Sequence, residues 1–265
     1  MSQNKTLPLG DRMKTYYEDR TRIYLPRRTY TLIRIDGKAF HTYTKGLKKP
    51  FDAGLIADMD ATTRYLCTEI QGAVLGYVQS DEISILLADF QDFTTQMWFD
   101  GNVQKICSIA ASLATAKFNQ LRTIRAMNGF VPVIDPEIAI KKIRLATFDA
   151  RAFQINEKEE IINYFIWRQR DAIKNSIQSV AQTYFSQKQL DKVNTDQMKV
   201  MLQETNHAWE DCTEREQRGG LVAKVACEIH ERDTIYTRNK WKSIETPVIS
   251  ADRDSIGTII PSIGR

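Results

Sequence analysis

Apolar positions change their spacing several times along the chain, and each change marks an element. Residues 30–35 (YTLIRI) are β-branched and aromatic and stop at Asp36-Gly37, which predicts a short strand ending in a carboxylate at a turn. Between residues 50 and 70, Leu55, Ile56, Met59, Thr63, Leu66 and Ile70 recur at three- and four-residue steps, so an amphipathic helix is predicted, with Asp52 as its cap. Two apolar runs follow, 73–79 and 83–88, and only Ser80-Asp81-Glu82 separates them. So short a gap predicts a hairpin with the acidic pair at its tip. The Ala-rich stretch 102–121 reads as a helix pressed against a sheet, and 143–148 (IRLATF) as a further strand. Strand, helix, strand, strand, helix, strand is the α+β ferredoxin-like order (βαββαβ), which sets its central strands side by side. Asp36 can then meet Asp81 and Glu82, although the two aspartates are 81 − 36 = 45 positions apart.

Further on, residues 157–185 set Ile161, Ile162, Phe165, Ile166 and Ile173 on one face and charges on the other, predicting a long helix with Asn156 as its cap. Two shorter helices are expected over 190–202 and 206–216. Gly219-Gly220 then breaks the pattern, and 221–229 and 235–236 read as extended. No Pro/Gly/Ser linker divides a sheet-centred region, 1–155, from a mostly helical region with a small extended segment, 156–265, so the two are expected to pack as one unit.

Composition narrows the class. A chain of 265 residues, 42% hydrophobic and 26% charged, has the makings of a folded core, which excludes a disordered tail protein. Its 37 Lys+Arg against 33 Asp+Glu leave +4, which permits a polyanionic partner without requiring one. Cys67, Cys107, Cys212 and Cys227 lie too far apart for a zinc pair or a dense disulfide framework. With no run of ~18 apolar residues, neither a signal peptide nor a membrane span is expected, and a cytoplasmic setting is.

The chemistry concentrates at the strand ends. Two carboxylates from adjacent strands suit magnesium, which keeps several waters and takes further ligands from substrate phosphates. Two such ions can activate an attacking oxygen and stabilise a leaving one in nucleotidyl transfer. Asp-Gly is also a common turn dipeptide and an acidic hairpin tip is often merely solvated, so the spacing alone leaves both readings open.

The wider wording says more. Arg34-Ile35-Asp36-Gly37-Lys38-Ala39-Phe40-His41, Lys49-Pro50-Phe51-Asp52, Gln79-Ser80-Asp81-Glu82-Ile83-Ser84, Phe148-Asp149-Ala150-Arg151 and Trp167-Arg168-Gln169 together resemble the tRNA-histidine guanylyltransferase family, including its branch of guanylyltransferase-like repair proteins. The resemblance implies a polymerase-type palm over 1–155 that adds nucleotides to the 5′ end of tRNA in the 3′-to-5′ direction. It implies that Asp36, Asp81 and the carbonyl of Gly37 hold two magnesium ions, with Glu82 and Ser80 in the same block and Asp36, Asp81 and Glu82 as the catalytic set. The family reaction activates a 5′-monophosphate with ATP or GTP; the 3′-hydroxyl of an incoming nucleotide then displaces the activating nucleotide. A 5′-triphosphate loses pyrophosphate instead. Nucleotide contacts are expected from Arg34, Lys38, Ala39, Phe40, His41, Lys49, Ser80 and Lys105, and RNA contacts from Arg151, Arg168, Lys174 and Asn175. Ordinary packing roles stand beside these, with Arg151 pairing to Asp149, His41 in a packing setting, and Tyr164 and Trp167 as core. A homotetramer is implied as well.

One departure bears on substrate. Where family members acting on histidine tRNA carry His-Ile-Asn-Asn, this chain has Ile173-Lys174-Asn175-Ser176. Repair of 5′-truncated tRNA by Watson–Crick pairing therefore fits better than obligate guanine addition to histidine tRNA. A nucleotidyl cyclase built on the same palm and a non-catalytic tRNA-binding module are the remaining alternatives.

Overall fold

A computed structural model describes residues 7–128, 144–231 and 234–263. Six strands, β1 (Tyr30–Gly37), β2 (Ala73–Gln79), β3 (Glu82–Ala88), β4 (Phe148–Ile155), β5 (Gly220–Glu231) and β6 (Thr234–Ile244), form one sheet in the order β4-β1-β3-β2-β5-β6. Every neighbouring pair is antiparallel. The first four strands keep the ferredoxin-like order 4-1-3-2, and the β5–β6 hairpin extends the sheet beyond β2.

The helices are α1 (Leu9–Met13), α2 (Phe40–Tyr43), α3 (Ala53–Glu69), α4 (Val103–Asn128), α5 (Lys158–Tyr184), α6 (Thr195–Glu204), α7 (Glu214–Arg218) and α8 (Asp254–Gly257). Strand alternation divides the core between the two sheet faces. Ile33, Ile35, Ile83 and Ile85 point toward α3 and α4, where they join Met59, Leu66, Ala110, Ala114 and Phe118. Leu32, Leu75, Tyr77 and Leu86 point the other way, beneath Ile161, Tyr164 and Phe165 of α5 and Ile249, Ile256 and Ile260. By the same period of two, Arg34 and Asp36 share the face of Leu32, so the acid at the end of β1 lies on the α5 side. The lower half of α5 adds a third cluster, Ile177, Val180 and Ala181 against Met198, Leu202 and Trp209.

The expected cap of α3 is present, with Asp52 Oδ1 accepting from the Leu55 amide at 2.7 Å. The fourth strand begins five residues and ends seven residues later than the run 143–148 suggested, with residue 143 itself outside the described residues. Phe148, Ala150 and Ala152 face the α4 core while Phe153 and Ile155 face the α5 side. That alternation, interrupted by exposed Asp149 and Arg151, pairs with β1 from Gly37↔Phe148 to Tyr30↔Ile155. Ala146 is instead strapped to α4, because Asn119 both accepts from its amide (2.9 Å) and donates to its carbonyl (2.8 Å). Asn156 is not the cap of α5. Glu157 holds that position without a side-chain bond, and Asn156 Oδ1 accepts from the Thr29 hydroxyl at 2.8 Å.

The two short helices also move. α6 begins behind a capping box formed by Asn194 and Gln197, and α7 behind one formed by Thr213 and Glu216, while Trp209–Asp211 forms a single tight turn. α4 runs past residue 121 to Asn128, and β5 and β6 are much longer than 221–229 and 235–236.

Candidate active site

Backbone pairing alone assembles the acids. Asp36 stands opposite Glu82 of β3 on one side and Asp149 of β4 on the other. Between β2 and β3 the turn has only two residues; Ser80 adopts a left-handed φ of 46°, and its hydroxyl donates to Asp81 Oδ1 at 2.9 Å. Asp36, Asp81 and Glu82 thus meet at one end of the sheet, as the topology predicted.

Crowding shows in their protonation. Burial, with Asp36 and Glu82 nearby, pushes the Asp81 carboxyl up to about 6, against the opposing pull of the Ser80 hydroxyl and its own amide. Burial also raises Glu82, opposed chiefly by Arg168 and then Arg34. Arg168 is only 5% exposed. It donates from Nε to Glu82 Oε1 at 2.8 Å and from Nη2 to Asp171 Oδ2 at 2.9 Å, and its guanidinium lies 4.2 Å from the Trp167 ring centroid.

A raised carboxyl destabilises the fold when ionised. For Asp81 that cost is absent below the unfolded value near 3.8, grows as pH rises toward about 6, and is constant above it. Asp81→Asn is therefore expected to raise Tm by a few degrees at pH 7.5, about 1 kcal/mol, and by nearly nothing at pH 4. Thermal melts of both proteins across that range check it.

The segment after β1 is held by packing. Phe40 is buried against Tyr43, Phe118 and Phe148. A Cβ at position 37 would lie 2.2 Å from its ring, so only glycine fits there. Ala39 turns the chain with a φ of 53°, and the Lys38 amide donates to the Thr147 carbonyl at 2.8 Å. Lys38, Ala39 and His41 remain exposed just beyond the acids. Beside them opens a cleft of about 170 Å³, lined by Lys49, Gln79, Ser80, Asn175, Ser176 and Arg215 among others.

Of the residues expected from the sequence, Asp36, Gly37, Asp81 and Glu82 come together, and Lys49, Ser80 and Asn175 share the adjoining cleft. Arg34 lies on the same sheet face, 5.7 Å from the Trp167 ring. Lys105 is not brought to this end. It sits in the first turn of α4, 115 − 105 = 10 residues before Thr115, or about 15 Å along the axis. Thr115 lies level with the site end, its hydroxyl accepting from the Phe148 amide at 3.1 Å. Arg168, expected as an RNA contact, lies buried and paired with Glu82. Arg151 pairs with Asp149 at 3.6 Å on the exposed edge, and Lys174 is exposed beside Asn175. Tyr164 is core, its hydroxyl 2.7 Å from Ser84 Oγ, whereas Trp167 is 49% exposed.

Sequence reasoning overlooked Arg215, whose Nε and Nη2 both donate to Asp60 Oδ1 (2.9 and 2.7 Å), and Gln79. Only the fold places Arg215 near β2. Among the described residues no group of three or more His, Cys, Asp and Glu side chains is arranged to hold a metal ion. Two carboxylates and a carbonyl are nonetheless hard oxygen donors that leave room for water and phosphate, which suits magnesium. Relief of the crowded Asp81 charge is what a cation there would supply.

Acids at the ends of central palm strands, on the face opposite the paired helices and beside a cleft with cationic and amide groups, define a nucleotidyltransferase palm. The model for Thg1, tRNAHis guanylyltransferase, matches residues 10–156, and the chain belongs to that family of nucleotidyltransferases acting on tRNA. It is 30% identical over 229 residues to the uncharacterized protein R259 of Acanthamoeba polyphaga mimivirus, covering 82% of this chain and 77% of that one. With the tRNA(His) guanylyltransferase of Schizosaccharomyces pombe it shares 31% over 151 residues, 56% of this chain and about half (51%) of the fission-yeast protein. A bacterial Thg1-like protein solved in complex with ATP superposes with a TM-score of 0.81 at 42% identity over 95% of this chain and 99% of that one. The corresponding complex with GTP gives 0.76 at the same identity, covering 95% and 98%. No described helix is long and apolar enough to cross a membrane.

Proposed function

We propose that this protein extends the 5′ end of tRNA in the 3′-to-5′ direction, choosing each nucleotide by pairing with the opposite strand. The observation that carries the reading is the convergence of Asp36, Asp81 and Glu82 beside the cleft of Lys49, Ser80 and Asn175. Asp36, Asp81 and the Gly37 carbonyl would hold magnesium, which when bound neutralises phosphate charge and favours ionisation of the attacking hydroxyl. Lys49 binds triphosphate oxygens, and Ser80 fixes the orientation of Asp81. Arg168 holds Glu82 in place and opposes the rise that burial gives its carboxyl. The 3′-hydroxyl of the incoming nucleotide attacks the activated 5′ phosphorus, and the activating nucleoside monophosphate, or pyrophosphate from a 5′-triphosphate, departs. Because Arg168 and Asn175 come from beyond residue 155, the palm and the C-terminal region act as one unit.

The stretch Ile173-Lys174-Asn175-Ser176, in place of His-Ile-Asn-Asn, supports repair over histidine-specific addition. The Ser176 hydroxyl accepts from Trp209 Nε1 at 2.9 Å and lies 2.9 Å from the Gln217 carbonyl, while Asn175 is exposed. Four free thiols fit a reducing compartment such as the cytoplasm. The active assembly is a homotetramer, testable by light scattering.

The substrate experiment compares a 5′-truncated tRNA with intact histidine tRNA, each as 5′-mono- and 5′-triphosphate, using labelled ATP and GTP. Addition to the truncated species at the higher kcat/KM is expected, and preference for the intact histidine tRNA would overturn the repair reading. Formation of a cyclic nucleotide from ATP or GTP without RNA would instead support the cyclase.

A further inference from the structure

Gln79 is the last residue of β2, next to Ser80 and paired in register with Glu82. Its side chain lines the cleft yet is only 4% exposed, and its Oε1 is buried without a hydrogen-bond partner among the described residues. Buried amide carbonyls seldom go unpaired, because leaving one so forfeits the whole cost of its desolvation. An acceptor kept in that condition at the wall of a substrate cleft is built to meet a donor that arrives with the substrate.

The chemistry of a nucleoside triphosphate limits which donor that is. Phosphate oxygens are acceptors and cannot satisfy Oε1. Base amino and ring N–H groups differ between adenine and guanine, whereas the similar bacterial protein has been solved with both ATP and GTP. A group common to both is the ribose hydroxyl, and a position one residue from Ser80 and opposite Glu82 would face the sugar-phosphate part of a nucleotide held at the strand-end acids. We propose that Gln79 Oε1 accepts a hydrogen bond from the ribose 2′-hydroxyl of the bound nucleoside triphosphate, so that this residue makes the cleft select ribonucleotides over deoxyribonucleotides. The assignment rests on the cleft being the nucleotide site proposed above.

Calorimetric titration of the full chain in magnesium buffer with ATP, 2′-deoxy-ATP and 3′-deoxy-ATP tests it. 2′-Deoxy-ATP is expected to bind at least about tenfold more weakly than ATP, since it would leave the buried acceptor unpaired, whereas weakening by 3′-deoxy-ATP alone overturns the proposal. In Gln79→Met the affinity for ATP should fall to about that of the weaker analogue, and the ratio between them should collapse toward one, with Tm unchanged or raised. Equal binding of ATP and both analogues to the wild type overturns the proposal without needing any variant, as does a Gln79→Met protein that folds and keeps the wild-type ratio. A wild type that binds ATP without discrimination sinks only the Gln79 assignment, whereas failure to bind ATP or GTP at all sinks the nucleotide site together with it.

Discussion

Asp36→Ala is expected to lower nucleotide addition by at least about a thousandfold while leaving the fold intact, and Asp81→Ala should do the same. A metal-held phosphoryl centre supplies several kcal/mol of transition-state stabilisation, and each 1.36 kcal/mol lost is a factor of ten. Neither side chain holds the structure together. Asp36 is partly exposed at a strand end with basic residues only further along the face, and Asp81 is a crowded acid whose charge opposes folding. Tm should therefore stay level for Asp36→Ala and stay level or rise for Asp81→Ala, so lost addition cannot be ascribed to unfolding. Single-turnover assays with a labelled 5′-truncated tRNA, run beside thermal melts, check both statements. Addition at the wild-type rate by either variant removes that residue from the site.

The second large effect is at Arg168. Its side chain and that of Glu82 are 6% and 14% exposed and lie 2.8 Å apart, so Arg168→Met leaves a carboxylate buried without its cation. Removing one partner of such a pair costs about 3 kcal/mol, equivalent to a fall in Tm of several degrees for a chain of this size. Replacing both, as Arg168→Met with Glu82→Gln, removes the stranded charge and should restore most of the lost stability. Addition should remain low in the double variant, because Glu82 is then absent from the acid cluster. Recovery of addition together with stability would mean that the pair serves only the fold.

Much of this site is legible in the sequence. β1, α3 and the β2–β3 hairpin are local patterns with punctuation at their ends: Asp36-Gly37, the Asp52 cap and the Ser80-Asp81 turn. Once those strands are recognised, antiparallel pairing brings Asp36 to Glu82 without further information. The misplaced fourth strand shows where pattern reading stops. IRLATF is the more apolar segment, but β4 is an edge strand with a half-polar alternation, and its position is decided by register against β1 and by the Asn119 clamp on Ala146. Arg168 illustrates a different limit. A cation next to a tryptophan on a long helix reads equally as an RNA contact or as an ion-pair partner, and only the crossing of α5 over β3 chooses Glu82. Gln79 opens one of the blocks that carry the resemblance, but an amide at a strand end says nothing about whether its oxygen will find a donor. The starts of α6 and α7 are set by the capping boxes at Asn194 and Thr213, which override the apolar spacing.

Templated growth at a 5′ end is the centre of this account, and one measurement addresses it directly. A tRNA lacking its first nucleotide and bearing a 5′-triphosphate is given to the protein with magnesium and each of the four ribonucleotides in turn, and the base opposite the gap is changed from C to A. Incorporation should switch from G to U with the template and cease in Asp36→Ala. Addition of the same nucleotide whatever stands opposite, or no addition by the wild type, would contradict the account.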